Sequence, residues 1–147
     1  PGIPRRGNPH RDQMARLEER LADAQGALAT LEELVNRDSL SIAERDGAIL
    51  RLVYTFEAVW KAAALVLEQQ EGIAVGSPKG AIRASRRANL LADAEAEDAI
   101  RIADDRNLTV HMYKQDVGEA IAERLKGHTA VLGRWLDALR RRTEGTT

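Results

Sequence analysis

The sequence predicts an all-α fold: an up-and-down antiparallel bundle of four long helices and one short one. Three observations predict it. Of 147 residues 24 are Ala and 17 are Leu, while aromatics are only 3%. That bias favours helix over an all-β fold, which would draw on Val, Thr, Tyr and Phe. Apolar residues recur at alternating spacings of three and four, and no alternation by two survives. The breaks between these segments are short, which makes consecutive helices antiparallel neighbours. No repeat of roughly 20–50 residues appears, so a solenoid is excluded. With 44% hydrophobic residues and 16.2 kDa, the chain can bury one core. The expected organisation is one domain over residues 10–142, with flexible ends at 1–9 and 143–147.

Residues 1–9 are broken by Pro1, Gly2, Pro4, Gly7 and Pro9. From His10 to Asn36, Met14, Leu17, Leu21, Ala24, Leu28, Leu31 and Val35 form a narrow helical seam. A turn follows, and Ser41 with Glu44 reads as a capping box. The second helix runs over 42–70 with a stripe of Ile49, Val53, Phe56, Trp60, Ala63 and Leu67, ended by Gly72. Ser77-Pro78 starts a short third helix over 78–91. A fourth begins near Asp93, its first turn rich in Asp and Glu where the helix dipole favours them. Its stripe of Ala96, Ile100, Ala103, Asn107 and Val110 places an Asn on the buried side. Asp116 reads as the cap of a fifth helix with Val117, Ile121, Leu125, His128, Leu132, Trp135 and Leu139 inward.

Composition excludes several classes. With no cysteine there is no disulfide framework, thiolate metal site or cysteine nucleophile. With three His, a metal cage would rest mostly on carboxylates. No metal or cofactor is expected. No apolar run of about 18 residues could span a membrane. The chain opens on Pro1 without a secretory pattern, so a soluble, cytoplasmic protein is expected. No P-loop, dinucleotide fingerprint or metalloprotease motif is present. The net charge of −1 marks no global polyanion trap, yet 18 of the 22 basic residues are Arg. Arg grips phosphates in two-pronged fashion, and it is also what a GC-rich genome supplies.

Three clusters could carry chemistry. The first, Asp104 to Tyr113, holds Arg106, His111 and Tyr113. On a straight helix Arg106 and His111 sit about 140° apart, so both could reach one atom only across a cleft or through local unwinding. His moves protons near neutral pH, and Arg stabilises charge on phosphoryl oxygens. Alternatively, Arg106 simply pairs with Asp104 or Asp105. The second cluster places Tyr54, Glu57 and Lys61 beside the Phe56–Trp60 seam; Glu57 either pairs with Lys61 or holds a catalytic Arg or His. The third is an acid-free window from Gly72 to Ala92 carrying Lys79, Arg83, Arg86 and Arg87, either a phosphate-tracking face or a solvated one. His128, on an apolar stripe, reads as a satisfied core or interface histidine.

Taken in order, Asp46-Gly-Ala-Ile-Leu-Arg-Leu-Val-Tyr-Thr-Phe-Glu-Ala-Val-Trp-Lys61, Gly76-Ser-Pro-Lys-Gly-Ala-Ile-Arg83 and Asp105-Arg-Asn-Leu-Thr-Val-His-Met-Tyr113 resemble the HEPN superfamily. Within it, the match is to nucleotidyltransferase substrate-binding proteins related to HepT toxins, over roughly residues 15–140. The resemblance implies a HEPN-like bundle that forms a homodimer, bringing two Arg-x4-His motifs into one cleft. Many members are metal-independent endoribonucleases and act as toxins; the motif maps onto Arg106 and His111. It also implies a partner, a minimal nucleotidyltransferase (MNT) antitoxin, which in one branch transfers AMP to a Tyr two residues past the His, here Tyr113. Relatives often carry Asn where this chain has Lys114, and a Trp within the stretch occupied here by Ala99–Ala103.

Two functions follow. In the first, the chain is an RNA-cleaving toxin: Arg106 stabilises the phosphorane, His111 is general acid or base, and Asn107 and Glu57 orient them. Lys79, Arg83, Arg86 and Arg87 then bind RNA or the partner. In the second, the chain is the non-catalytic substrate-binding subunit of a two-component nucleotidyltransferase. It lacks the Gly-Ser and Asp-x-Asp residues needed to transfer nucleotides itself.

Overall fold

Gly2 and residues 7–145 are described by a computed structural model. Five helices follow in order: α1 (Pro9–Val35), α2 (Ile42–Glu71), α3 (Pro78–Arg87), α4 (Asp93–Leu108) and α5 (Gln115–Glu144). A 3-10 turn, Thr109–His111, joins α4 to α5. No strand occurs among the described residues. The long helices α1, α2 and α5 pack on one another, and the α3–α4 pair packs against α2 and α5. No helix among the described residues is long and apolar enough to cross a membrane.

The ends are more regular than Pro and Gly content suggested. Asn8 caps α1 through its side chain, which accepts from the His10 N–H at 3.0 Å, with Pro9 as the first helical residue. A proline there loses no hydrogen bond that the helix would use. At the other end α5 includes Thr143 and Glu144. Helix therefore reaches into both segments expected to be flexible; residues 1, 3–6, 146 and 147 of those segments lie outside the described residues.

The α1 seam from Leu17 to Val35 is buried as its spacing predicts, whereas Met14 stays half exposed. The stripe on α2 is wider than its 4–3 alternation indicated. Leu52, Val59 and Val66 are buried beside Ile49, Phe56, Ala63 and Leu67, because α2 contacts α1 on one side and α3 and α5 on another. Val53 and Trp60 sit half-buried at the margin. The Ser41–Glu44 box is formed in both directions, at 3.1 and 2.9 Å. Gly72 takes a left-handed φ of 66° and closes α2.

Three sequence expectations are corrected. α3 stops at Arg87 rather than near 91, because Asn89 adopts φ 62° and turns the chain. The N–H groups of Leu90 and Asn89 then donate to the carbonyls of Ser85 and Arg86 at 2.8 and 3.1 Å, a Schellman closure. On α4 the buried set is Ala96, Ala99, Ile102, Ala103 and Asp105. Asn107 is exposed, and the 3-10 turn carries Val110 out to 72% exposure. Asp116 is no cap: Lys114 holds that position, and Asp116 lies in the first turn of α5, where the dipole still favours it.

Two contacts fix how the bundle closes. Trp135, fully buried on α5, donates its indole N–H to Ser85 Oγ on α3 at 3.1 Å. At the start of α5 the Arg45 guanidinium of α2 lies over Gly118, where a methyl group would come within 2.8 Å of Nη2 and displace the arginine. Ser85→Ala, which strands the indole N–H in the core, should cost about 1–3 kcal/mol. Trp135→Ala should cost about 3–5 kcal/mol. Urea unfolding midpoints of the two variants check both values.

Candidate functional site

The last turn of α4 presents three adjacent charged residues to three different helices. Neighbours on a helix diverge by about 100°. Asp104 therefore reaches Lys79 of α3, Oδ1 to Nζ 2.7 Å. Asp105 turns inward to α5, accepting from Arg124 Nε and Nη2 at 2.8 and 2.7 Å, with His128 Nε2 2.6 Å from its Oδ2. Arg106 faces α2, its Nε 2.6 Å from Glu57 Oε1.

Of the two pairings open to Glu57 in the sequence, the structure has the one with the motif arginine. The buried Oε1 has Arg106 Nε beside it as its charge partner. Glu57 Oε2 accepts from Trp60 Nε1 at 3.1 Å. Lys61 lies instead against the Trp60 ring, 6.0 Å from its centroid. Val53, Phe56, Ile102 and Thr109 close around the base of Arg106, leaving no room for a water. The pairing of Arg106 with Asp104 or Asp105 does not form, since both carboxylates are engaged elsewhere.

His111 stands on the 3-10 turn and not on α4, so the straight-helix angle does not apply. The Arg106 carbonyl accepts from both the Thr109 N–H and, at 2.6 Å, the Thr109 hydroxyl, and this tightens the helix end. His111 and Tyr113 are exposed, Tyr113 by 78%, with ring centroids 6.2 Å apart edge to face. No hydrogen bond joins His111 to Arg106 among the described residues, and the Asn107 side chain is exposed.

The basic window is partly neutralised. Lys79 is paired with Asp104, and Arg86 with Asp93 at 3.1 Å. Arg83 and Arg87 are exposed without a carboxylate within 4 Å among the described residues. The larger hollows, about 450 and 560 Å³, lie among the N-terminal half of α1 and the ends of α2 and α5, away from the motif. The motif itself is an open surface suited to a polymer more than to an enclosed small molecule. No group of three or more His, Asp or Glu side chains that could hold a metal occurs among the described residues.

The Asp105–Arg124–His128 cluster was not found in the sequence. Its signal was present: an acid in register with Ala99 and Ile102, and a cation and an imidazole four apart on the next helix. Burial alone would raise the Asp105 carboxyl, but the Arg124 and His128 hydrogen bonds outweigh it and hold the group below the usual carboxylate range. The hydrogen bond to Asp105 in turn raises Arg124. An ionised carboxylate only accepts, so His128 Nε2 carries the hydrogen.

Residues 19–141 match the family model described as "Nucleotidyltransferase substrate binding protein like". A protein of Thermus thermophilus is 46% identical, with a TM-score of 0.77 over 80% of this chain and 98% of that one. A mutant MntA–HpeT toxin–antitoxin gives 0.71 at 16% identity, covering 85% of this chain and 97% of that one. A tri-AMPylated Shewanella oneidensis HEPN toxin in complex with MNT antitoxin gives 0.68 at 17%, covering 85% and 96%. At those two identities the likeness is one of fold. None of the curated proteins matches the chain.

Asp105→Asn should lower stability at pH 7 by about 3 kcal/mol, the low end for breaking a buried pair because Arg124 reaches water. Folded Asp105 titrates below its unfolded value of about 3.9. Its contribution is therefore complete above that pH and fades as pH falls through the lower folded value. Urea titrations of the wild type and the variant should converge as pH falls progressively below the unfolded value of about 3.9.

Proposed function

The chain belongs to the nucleotidyltransferase substrate-binding-protein-like family of HEPN folds, and from that premise we propose that it is the ribonuclease toxin of a HEPN/MNT toxin–antitoxin pair, acting in the cytoplasm. The observation that carries this reading is the α4 end: Arg106 held by Glu57, with His111 and Tyr113 exposed on the adjoining turn. An RNA 2′-hydroxyl attacks the adjacent phosphorus, the 5′-oxygen leaves, and a 2′,3′-cyclic phosphate remains. His111 takes or gives the proton, and Arg106 stabilises the phosphorane oxygens without a metal. Glu57 orients Arg106 through their contact. Arg83 and Arg87 are the free cations for the RNA backbone or the partner; Lys79 and Arg86 serve there only by exchanging carboxylate for phosphate. Asn107, exposed one residue past Arg106, supports the pair as an orienting residue beside Glu57.

A homodimer completes the site. Leu50 and Tyr54 on α2, and Leu108 and Val110 beside the motif, are exposed by 40–72%, and a second copy of the chain covers them while bringing a second Arg106 and His111 into the cleft. Silencing falls to Tyr113. Its phenolic oxygen attacks the α-phosphorus of ATP bound by an MNT partner, pyrophosphate leaves, and the phenolic proton goes to solvent. The added phosphate and nucleoside then occupy Arg106 and block the cleft.

A second reading is the non-catalytic substrate-binding subunit. It is favoured by one observation: the charge of Arg106 is already met by Glu57, with which a phosphate must compete.

Expression should arrest growth and cleave RNA, and Arg106→Ala and His111→Ala should each lower cleavage by about a hundredfold or more. Purified protein inert on RNA, yet binding nucleotide with its partner, decides for the second reading. Incubation with the partner, ATP and magnesium should add AMP to the wild type and not to Tyr113→Phe, as read by intact mass; equal additions to both remove the site assignment.

A further inference from the structure

We propose that Asp105 is a positioning residue for Arg106, acting by tying the end of α4 to Arg124 and His128 of α5. The inference rests on the toxin reading only for its catalytic consequence; the mechanical part stands on geometry.

The last turn of a helix lacks partners for its carbonyls and frays unless side chains anchor it. Here the turn ends without a glycine cap and runs straight into the 3-10 turn, with Thr109 donating to the Arg106 carbonyl. It is also a poor place for acids, since the dipole is negative there. A buried carboxylate at that end is doubly costly, and an apolar residue filling the same space would serve stability as well or better. What Asp105 adds is direction. A two-pronged grip from Arg124 and a bond from His128 fix both rotation and height of the turn. Arg106, one residue on, is thereby carried toward Glu57, whose Oε1 lies 2.6 Å from its Nε. Asp104–Lys79 is more exposed and holds less.

The test uses the full chain labelled with ¹⁵N. The Arg106 Nε–H resonance is identified by its loss in Arg106→Lys. In folded Asp105→Asn, and in Arg124→Gln as a second variant, exchange of that proton with water should speed at least about tenfold. RNA cleavage should lose about 10–100-fold in kcat, with KM within about threefold, as expected of a misplaced group. Arg124→Lys should recover part of the loss. Ser85→Ala, destabilised elsewhere in the core, should leave the resonance and kcat unchanged. An unchanged resonance and kcat in folded Asp105→Asn and Arg124→Gln overturn the inference, as does an equal loss in Ser85→Ala. If the wild type cleaves no RNA, the toxin reading fails and the resonance alone decides: faster exchange in both variants upholds the tie, and unchanged exchange overturns it.

Discussion

Consecutive residues on a helix cannot share a partner, because each step turns the side chain by about 100°. At the end of α4 that constraint is put to use. Asp104, Asp105 and Arg106 fan outward and each meets an opposite or hydrogen-bonding charge on a separate helix, α3, α5 and α2. α4 is the shortest of the helices that carry the core across the bundle, apart from α3, and its apolar face is mostly alanine. Alanines bury little area. Charge contacts therefore fix the one turn on which the candidate site is built, while leucine and tryptophan packing among α1, α2 and α5 holds the rest.

The fold was legible because its information is periodic and local. The α1 seam, the Ser41–Glu44 box, Ser77-Pro78 and Gly72 each declare a helix or its end within a few residues, and each is found. What failed was also local, but ambiguous. On α4, Ile100 and Ala103 set one phase and Ala99 and Ile102 another. With alanine at so many positions the apolar contrast is weak, and Asn107 was assigned to the wrong face. The closure of α3 by Asn89 was missed because a left-handed asparagine carries no mark as plain as glycine's.

The site was legible in part. The Arg106, His111 and Tyr113 positions stand out as residue types, and resemblance gives them roles. Their partners depend on long-range packing: Glu57 and Arg106 lie on helices separated by all of α3, and Asp105 meets Arg124 and His128 across the turn that joins α4 to α5. A pattern within one segment cannot express such meetings. Glu57 illustrates this, with two sensible partners by spacing, of which tertiary structure selects the distant one.

The close approach of Arg45 to Gly118 has a consequence for the stretch that bears His111 and Tyr113. That stretch is strung between two piers, the Asp105 grip behind it and the glycine crossing ahead. Its backbone is also bonded to itself, the Met112 N–H donating to the Thr109 carbonyl at 3.2 Å and the Lys114 N–H to the His111 carbonyl at 3.0 Å, so exposure of Tyr113 does not amount to a swinging loop. The ring is offered on a stiff parapet, free to rotate about its own bonds in picoseconds to nanoseconds, while the distance from its Cα to the arginine's remains set by the bundle.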